Sequence, residues 1–260
     1  MKRIIFTFLF CNGKFILSRN FFRQNIGDHK WLFNNYNLEK VAFGLDEIML
    51  INISSNSNYD NEFNELIEKI TKNCFIPLTV GGRIKTLSCA ENYFKLGADK
   101  LLINTLNYIN PNVTKEIIST YGSQAIMGCV DFKLEQNVHN VYINNAKTKI
   151  DYKLSDYIHY LLELGIGEIL LQSIDNDGTG NGLDFSVLEF IPTQFPIPVI
   201  LMGGIGKTEH FLSSLQNKKI DAVSTANILN FIGSSILNVR KNLINEGVSI
   251  PEFNKKFDLF

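Results

Sequence analysis

Short, continuously apolar runs alternate along the chain with longer amphipathic stretches. The runs are 3–10 (RIIFTFLF), 47–53 (EIMLINI), 76–80 (IPLTV), 99–104 (DKLLIN), 124–130 (QAIMGCV), 168–174 (EILLQSI), 197–202 (IPVILM) and 221–226 (DAVSTA). Continuous rather than alternating apolarity predicts strands covered on both faces, as in a parallel sheet. Between them, Phe63, Leu66, Ile67 and Ile70 in 61–70 fall at helical spacing. The stretch 154–165 predicts a helix capped by Ser155 and ended by Gly165. Eight runs, each followed by a helical stretch, predict eight βα units. The α/β architecture this implies is a (β/α)8 TIM barrel, which fills about 250 residues. No Pro/Gly/Ser-rich linker interrupts the pattern, so residues 1–260 are expected to form a single domain.

The pattern repeats internally. Gly81-Gly82 of VGGRI lie 122 residues before Gly203-Gly204 of MGGIG, and Asp99 lies 122 before Asp221. DEIMLIN (46–52) echoes GEILLQS (167–173), with Glu47 121 residues before Glu168. Matches at offsets of 121–122 residues predict two duplicated half-barrels, about 1–122 and 123–250. Asp131 ends the fifth run, but the position 122 residues earlier is Leu9. The halves are thus alike in scaffold and unlike at a strand end, where barrel enzymes place their chemistry.

Composition narrows the function classes. Lys and Arg total 25 against 26 Asp and Glu, a net charge of −1, without the basic footprint of a nucleic-acid or membrane-surface binder. Cys11, Cys74, Cys89 and Cys129 form no CxxC pair and have no ligating His at zinc spacing, so neither a metal site nor a disulfide framework is expected. That usage fits a reducing, cytoplasmic setting. Lys2 and Arg3 ahead of the apolar run Ile4–Phe10 resemble a short export signal, but the run is at the lower limit for one and reads better as a strand. No stretch approaches the 18 or more apolar residues of a membrane span.

Candidate chemistry gathers at the strand ends. Gly81-Gly82 with Asn104-Thr105, and Gly203-Gly204 with Ala226-Asn227, occupy matching places in the two halves. Glycine lets backbone N–H groups approach an anion, and two such cradles imply a ligand with a phosphate at each end; alternatively, the pairs simply make tight turns. The loop DNDGTGNG (175–182) offers Asp175 and Asp177, with Gly178 and Thr179, for orienting hydroxyls or moving protons. It lacks the terminal Glu of a calcium loop, since the twelfth position from Asp175 is Ser186, and it could equally be a solvated turn. Asp131, at the end of a buried strand, is the candidate general acid or base. His29, His139, His159 and His210 are expected on loops and helix surfaces. At the other end, Arg3, Glu47, Lys100 and Glu168 each open a run, and two cations with two anions could close a ring. Such a ring is either a salt-bridge plug or a gate on an axial passage.

These residues carry a family resemblance. The motifs FIPLTVGGRI, LGADKLLINT, YGSQAIMGCVDFK, LGIGEILLQSIDNDGTGNGLD and PVILMGGIG, spread from Arg3 to about Gly247, resemble the cyclase subunit of imidazole glycerol phosphate synthase, the HisF family of histidine biosynthesis. The resemblance implies a duplicated TIM barrel, a HisH-like glutaminase docked as a heterodimer at the strand-start face, and ammonia passing through the barrel to a phosphorylated small-molecule substrate. It implies no cofactor. Arg3, Glu47, Lys100 and Glu168 match the family's charged gate, Gly82, Asn104, Asp177 and Gly204 its substrate cradle, and Asp131 one of its two catalytic aspartates.

The departures are at the chemistry. The second catalytic aspartate falls at Leu9, the family's loop-one lysine at Leu17, and a second-strand aspartate at Asn52. Leucine exchanges no proton, so loss of one acid–base partner costs about 10²–10⁴-fold in rate. The apolar start FTFLF also resembles a paralogous, glycosyl amidation-associated (WbuZ-like) branch, whose members accompany sugar-amidating enzymes of surface polysaccharide synthesis. Three readings follow. The chain is an ammonia-channelling synthase-like subunit with a glutaminase and a sugar amidotransferase as partners; or an authentic cyclase that tolerates Leu9; or a non-catalytic barrel that binds a partner.

Overall fold

The structure is a computed structural model, and it describes residues 1–35, 44–227 and 235–251. In chain order the strands are β1 (Arg3–Cys11), β2 (Lys14–Arg19), β3 (Phe22–Gly27), β4 (Glu47–Asn52), β5 (Leu78–Gly81), β6 (Lys100–Ile103), β7 (Ile126–Glu135), β8 (Val138–Ile143), β9 (Thr148–Lys153), β10 (Glu168–Ser173), β11 (Val199–Met202) and β12 (Ala222–Thr225). The helices are α1 (His29–Asn35), α2 (Asp60–Asn73), α3 (Leu87–Lys95), α4 (Thr105–Ile109), α5 (Pro111–Tyr121), α6 (Leu154–Leu164), α7 (Thr208–Leu215) and α8 (Ser235–Asn245).

Eight of the strands pair in parallel in the cyclic order β1–β4–β5–β6–β7–β10–β11–β12, and β12 returns to β1. The barrel is therefore closed and has no free sheet edge. It is the (β/α)8 fold expected from the apolar runs. The outward faces meet the helices, as where α2 buries Phe63, Leu66, Ile67 and Ile70.

Because strand side chains alternate with a period of two, each strand sends every second residue into the barrel. Glu168, Leu170 and Gln172 of β10 are one such file, and Lys100, Leu102 and Asn104 along and just past β6 are another. Stacked around the axis, the files make three layers. Charged residues lie at the strand starts, and a middle layer holds Ile5, Met49, Leu102, Met127, Cys129, Leu170, Ile200, Met202 and Ala222. A cavity opens at the strand ends.

The repeated acids have a local task. Asp99 Oδ2 accepts from Leu78 N at 2.8 Å and Asp221 Oδ2 from Val199 N at 2.9 Å. Asp46 does the same to Ile4 N at 2.8 Å. Each acid stands just before its own strand and satisfies an amide at the start of the neighbouring one, which fixes the register of that pair.

The structure departs from the expected pattern in four places. β1 and β7 each run on into an antiparallel excursion, β1–β2–β3 and β7–β8–β9, before the next helix. Their turns hold Asn12 and Gly13, Gln136 and Asn137, and Asn144 and Asn145 at positive φ, a hairpin signature that is visible in the Asn-Gly pair. β10 is followed not by an α-helix but by a loop and a short 3-10 turn, Ser186–Phe190. Ser155 is not the cap of α6: the chain passes directly from β9 into the helix at Leu154, and Ser155 Oγ turns to Asp156 instead. Gly165 ends that helix in the left-handed region, as expected. His139 lies on β8 against Phe132 and Phe190, whereas His29, His159 and His210 lie on helices. The expected domain runs to residue 260, of which 252–260 lie outside the described residues.

Candidate active site

A cavity of about 380 Å³ opens at the strand-end face, within the usual size of a small-molecule site. Asp131 on β7 and Leu9 on β1 both line it. Three strands lie between them in either direction around the barrel, so they stand on opposite walls. The turn after β5 contributes Gly82, Arg83, Ile84 and Lys85, and the end of β6 contributes Asn104 and Thr105.

The shape of that turn is forced. Gly82 has φ +84°, and a Cβ there would lie 1.9 Å from the Asn52 carbonyl oxygen. Arg83 follows at φ +58°. The N–H groups of Arg83 and Ile84 have no partner among the described residues, leaving main-chain donors beside the cavity, the geometry of an anion nest. Gly82→Ala is expected to cost at least about 1–3 kcal/mol in denaturant unfolding. Gly81→Ala, with an ordinary φ and its nearest contact at 3.0 Å, should cost clearly less. Equal losses would contradict this account of the turn.

Among the described residues Asp131 is the only carboxyl side chain lining the cavity, and only 6% of its surface is exposed. Burial pushes its pKa up to about 7, and the negative charge of Asp177 adds to the effect. Hydrogen bonds from Cys129, whose Sγ lies 3.5 Å from Oδ1, and from Asn104 work in the opposite direction. A carboxyl poised near neutrality suits proton transfer. Leu9, opposite, packs with Cys11 and Ile16 in an apolar cluster and offers no second proton site.

The side-chain amides of Asn52, Asn104 and Gln172 add to the polar lining. Asn52 is 2% exposed; its Oδ1 accepts from Ser54 N, while its Nδ2 has no partner among the described residues. Asn104 Nδ2 likewise lacks a partner at full hydrogen-bond geometry. A buried orphan donor is costly, and a ligand acceptor would satisfy it.

The other sequence candidates are placed differently. Both oxygens of the Asp177 carboxylate are engaged by the β2–β3 hairpin, from Ser18 Oγ at 3.0 Å and Phe21 N at 3.0 Å. Burial raises its pKa against those two bonds. Asp175 Oδ2 accepts from Leu134 N, and Asn20 reaches back to the carbonyls of Ile174 and Asp175. The two acids thus latch the hairpin and β7 to the loop rather than facing the cavity. Gly178 packs against Ser18 and Arg19, and Thr179 Oγ1 donates to Asn176 O. Gly81, Gly203, Gly204, Ala226 and Asn227 do not line the 380 Å³ cavity, and Gly204 O accepts from Gly182 N. Thr105 Oγ1 accepts from Asn144 N, tying the β8–β9 turn to the rim. Sequence reasoning missed the hairpin residues Ser18, Phe21 and Arg23 and the rim residues Lys85 and Lys147; the Asn12-Gly13 turn was the available signal for the first three.

At the opposite end, the four charges form one closed ring. Arg3 meets Glu47 at 2.9 Å and Glu168 at 2.9 Å; Lys100 meets Glu47 at 3.1 Å and Glu168 at 2.8 Å. Thr79 Oγ1 donates to the remaining Glu47 oxygen at 2.5 Å. Each charge therefore touches two of opposite sign, which offsets the cost of desolvating it. The described residues hold no His, Cys, Asp and Glu cluster able to hold a metal ion, and no helix among them is long and apolar enough to cross a membrane.

Fold and site together define a closed (β/α)8 barrel with an anion-suited cavity and one poised carboxyl at its strand ends. The family model described as histidine biosynthesis protein matches residues 32–233, and the chain belongs to that family, among the HisF-like subunits of imidazole glycerol phosphate synthase. A Parasynechococcus marenigrum (strain WH8102) protein named "Putative imidazole glycerol phosphate synthase subunit hisF2" is 40% identical over 235 residues, 90% of this chain and 87% of that protein. Imidazole glycerol phosphate synthase subunit HisF of Bacillus cereus (strain G9842) is 32% identical over 251 residues, 96% of this chain and 98% of that protein. HisF of Chlorobium phaeobacteroides (strain DSM 266 / SMG 266 / 2430) is 35% identical over 205 residues, 79% and 82% of the two chains.

Proposed function

We propose that this chain is the ammonia-using subunit of a cytoplasmic glutamine-dependent complex. A HisH-like glutaminase docks at the strand-start face, and ammonia moves along the barrel axis to a phosphorylated substrate in the strand-end cavity. The observation that carries this reading is the pairing of an intact charged ring at one end with a cavity that keeps Asp131 but has Leu9 on the opposite wall. The scaffold for delivering ammonia persists, while the two-acid device for closing an imidazole ring is halved. The ammonia serves acetamidino-sugar synthesis for surface polysaccharide, with a sugar amidotransferase as a further partner.

In this mechanism Asp131, near half-protonated at neutral pH, donates to or accepts from the reacting group. The Gly82–Lys85 turn and Asn104 hold the anionic end of the substrate. The apolar middle layer favours neutral ammonia over ammonium, because an unpaired cation is costly there.

The second reading, an authentic cyclase, is favoured by the near-full-length match to HisF of Bacillus cereus. One experiment decides between them: the purified chain with ammonium salt, and separately with a glutaminase and glutamine, is followed for loss of the aminoimidazole precursor. The proposal expects no turnover by the natural chain and measurable turnover by Leu9→Asp. Family-like turnover with Leu9 in place would overturn it and establish the cyclase.

A further inference from the structure

Cys129 carries a buried thiol beside the poised acid. On β7 the inward file runs Met127, Cys129, Asp131, from the apolar middle layer to the cavity, because a strand repeats its facing every two residues. Cys129 belongs to both zones. It packs in the middle layer, where it is the member with a polar hydrogen, and it also lines the cavity. It is 5% exposed, and its Sγ donates to Asp131 Oδ1 at 3.5 Å. Burial, and then the charge of Asp131, push the thiol well above its ordinary range, so at neutral pH it remains a donor.

The other groups around Asp131 hold it less firmly. Asn104, at the end of β6, reaches loosely toward both Cys129 and Asp131. Gln172 on β10 and Tyr142 on β8 stand in register with Asp131. Asp177, beyond β10, adds negative charge, and Tyr157 on α6 lies near enough to feel both Cys129 and Asp131. No cation among the described residues acts on the carboxyl. Among those residues, the bond from Cys129 is the one of full hydrogen-bond geometry to this side chain, and it falls on Oδ1. Oδ2 is left toward the cavity.

A carboxyl turns easily about its last bond, so its two oxygens are interchangeable until something holds one of them. A cation or a hydroxyl would hold one firmly but would also favour the charged form. A thiol is a weak donor, and it can orient the group while burial still keeps the proton on at neutrality. We propose that Cys129 is a positioning residue: its S–H holds Asp131 Oδ1 and leaves Oδ2 as the oxygen that exchanges a proton with the substrate. The proton leaves and returns at Oδ2, the negative charge left behind is shared with Oδ1, and Cys129 keeps its own proton. This rests on the functional reading above for the cavity's being the reaction site, whereas the hydrogen bond is a property of the chain alone.

The test is infrared titration of the full chain across neutral pH. The S–H band lost in both Cys129→Ser and Cys129→Ala belongs to Cys129, and the protonated-carboxyl band lost in Asp131→Asn belongs to Asp131. In the natural chain the Cys129 band should move as Asp131 ionises, with the same midpoint, because its acceptor passes from neutral to charged. Cys129→Ala should raise the Asp131 midpoint by about half a unit to one unit, the shift for losing one modest hydrogen bond to the charged form. Cys129→Ser, which keeps a donor, should return the midpoint to that of the natural chain or below it. A thiol that only filled space predicts the opposite sign for alanine, since water entering the gap would favour ionisation. An S–H band indifferent to the Asp131 titration, a midpoint that falls or stays in Cys129→Ala, or equal midpoints in the alanine and serine variants would each overturn the proposal. The precursor assay reads a separate property: family-like turnover would end the ammonia-using reading and leave the Cys129 bond standing, while a silent S–H band would do the reverse.

Discussion

Asp131→Asn is expected to lower ammonia-dependent turnover of the complex about 10²–10⁴-fold, the range for loss of a positioned acid or base. The same substitution should stabilise the protein above neutrality. The carboxyl titrates near 7 when folded, driven first by burial, but at about 3.9 in an unfolded chain. Between those values the folded state holds the proton and the unfolded state has released it, so stability falls as pH rises from about 4 to about 7. Below that window both states are protonated and the penalty is absent; above it the penalty is complete. At roughly 1.4 kcal/mol per unit it is on the order of 2–4 kcal/mol once relaxation is allowed for. Urea unfolding of both proteins at pH 4 and pH 8 would show it, with near-equal stabilities at the lower pH and the variant ahead at the higher. Parallel pH–stability curves would remove Asp131 as a strained, poised acid. A turnover profile with an inflection near 7 that vanishes in the variant would tie the strain to the chemistry.

Glu47→Ala should give the largest loss of stability, about 3–5 kcal/mol in urea unfolding, because one partner of a buried network is removed. Glu47 is 2% exposed and takes bonds from Arg3, Lys100 and Thr79. Without it, two cations share the single anion Glu168 inside the barrel. The double variant Glu47→Leu with Lys100→Met removes one charge of each sign and should recover most of the loss. If the single substitution costs less than about 1 kcal/mol, the ring is a solvated surface feature and its place at the head of an axial path has no energetic support.

The sequence carried the barrel because its signals are local and periodic. Eight apolar runs had to be covered on both faces, and the four charges that open β1, β4, β6 and β10 lie an even number of residues from interior apolar positions. That spacing alone places Arg3 on the same face as Ile5, and Glu168 on the same face as Leu170, both of which are buried. Asp131 was legible for the same reason, as a carboxyl closing an apolar run, although β7 continues past it to Glu135. The excursions β1–β2–β3 and β7–β8–β9 were harder to read. β3 and β9 are largely exposed, so little hydrophobic periodicity marks them. Their turns were the clearer signal.

The role of Asp177 shows where sequence reading ended. Its type and loop position suited a ligand contact, yet its oxygens are taken by Ser18 and Phe21, 159 and 156 residues away in sequence. No local rule anticipates a partner that distant, because the hairpin arrives there only once the barrel has closed. The glycine pairs are similar: their spacing predicted equivalence, but Gly82 borders the cavity and Gly204 does not. What the chain determined by itself is which residues face inward and at which end of the barrel, since that depends on strand period and burial. Which inward residues meet and which polar atoms stay open to a ligand were decided by tertiary structure, because those depend on loops folded across the barrel mouth.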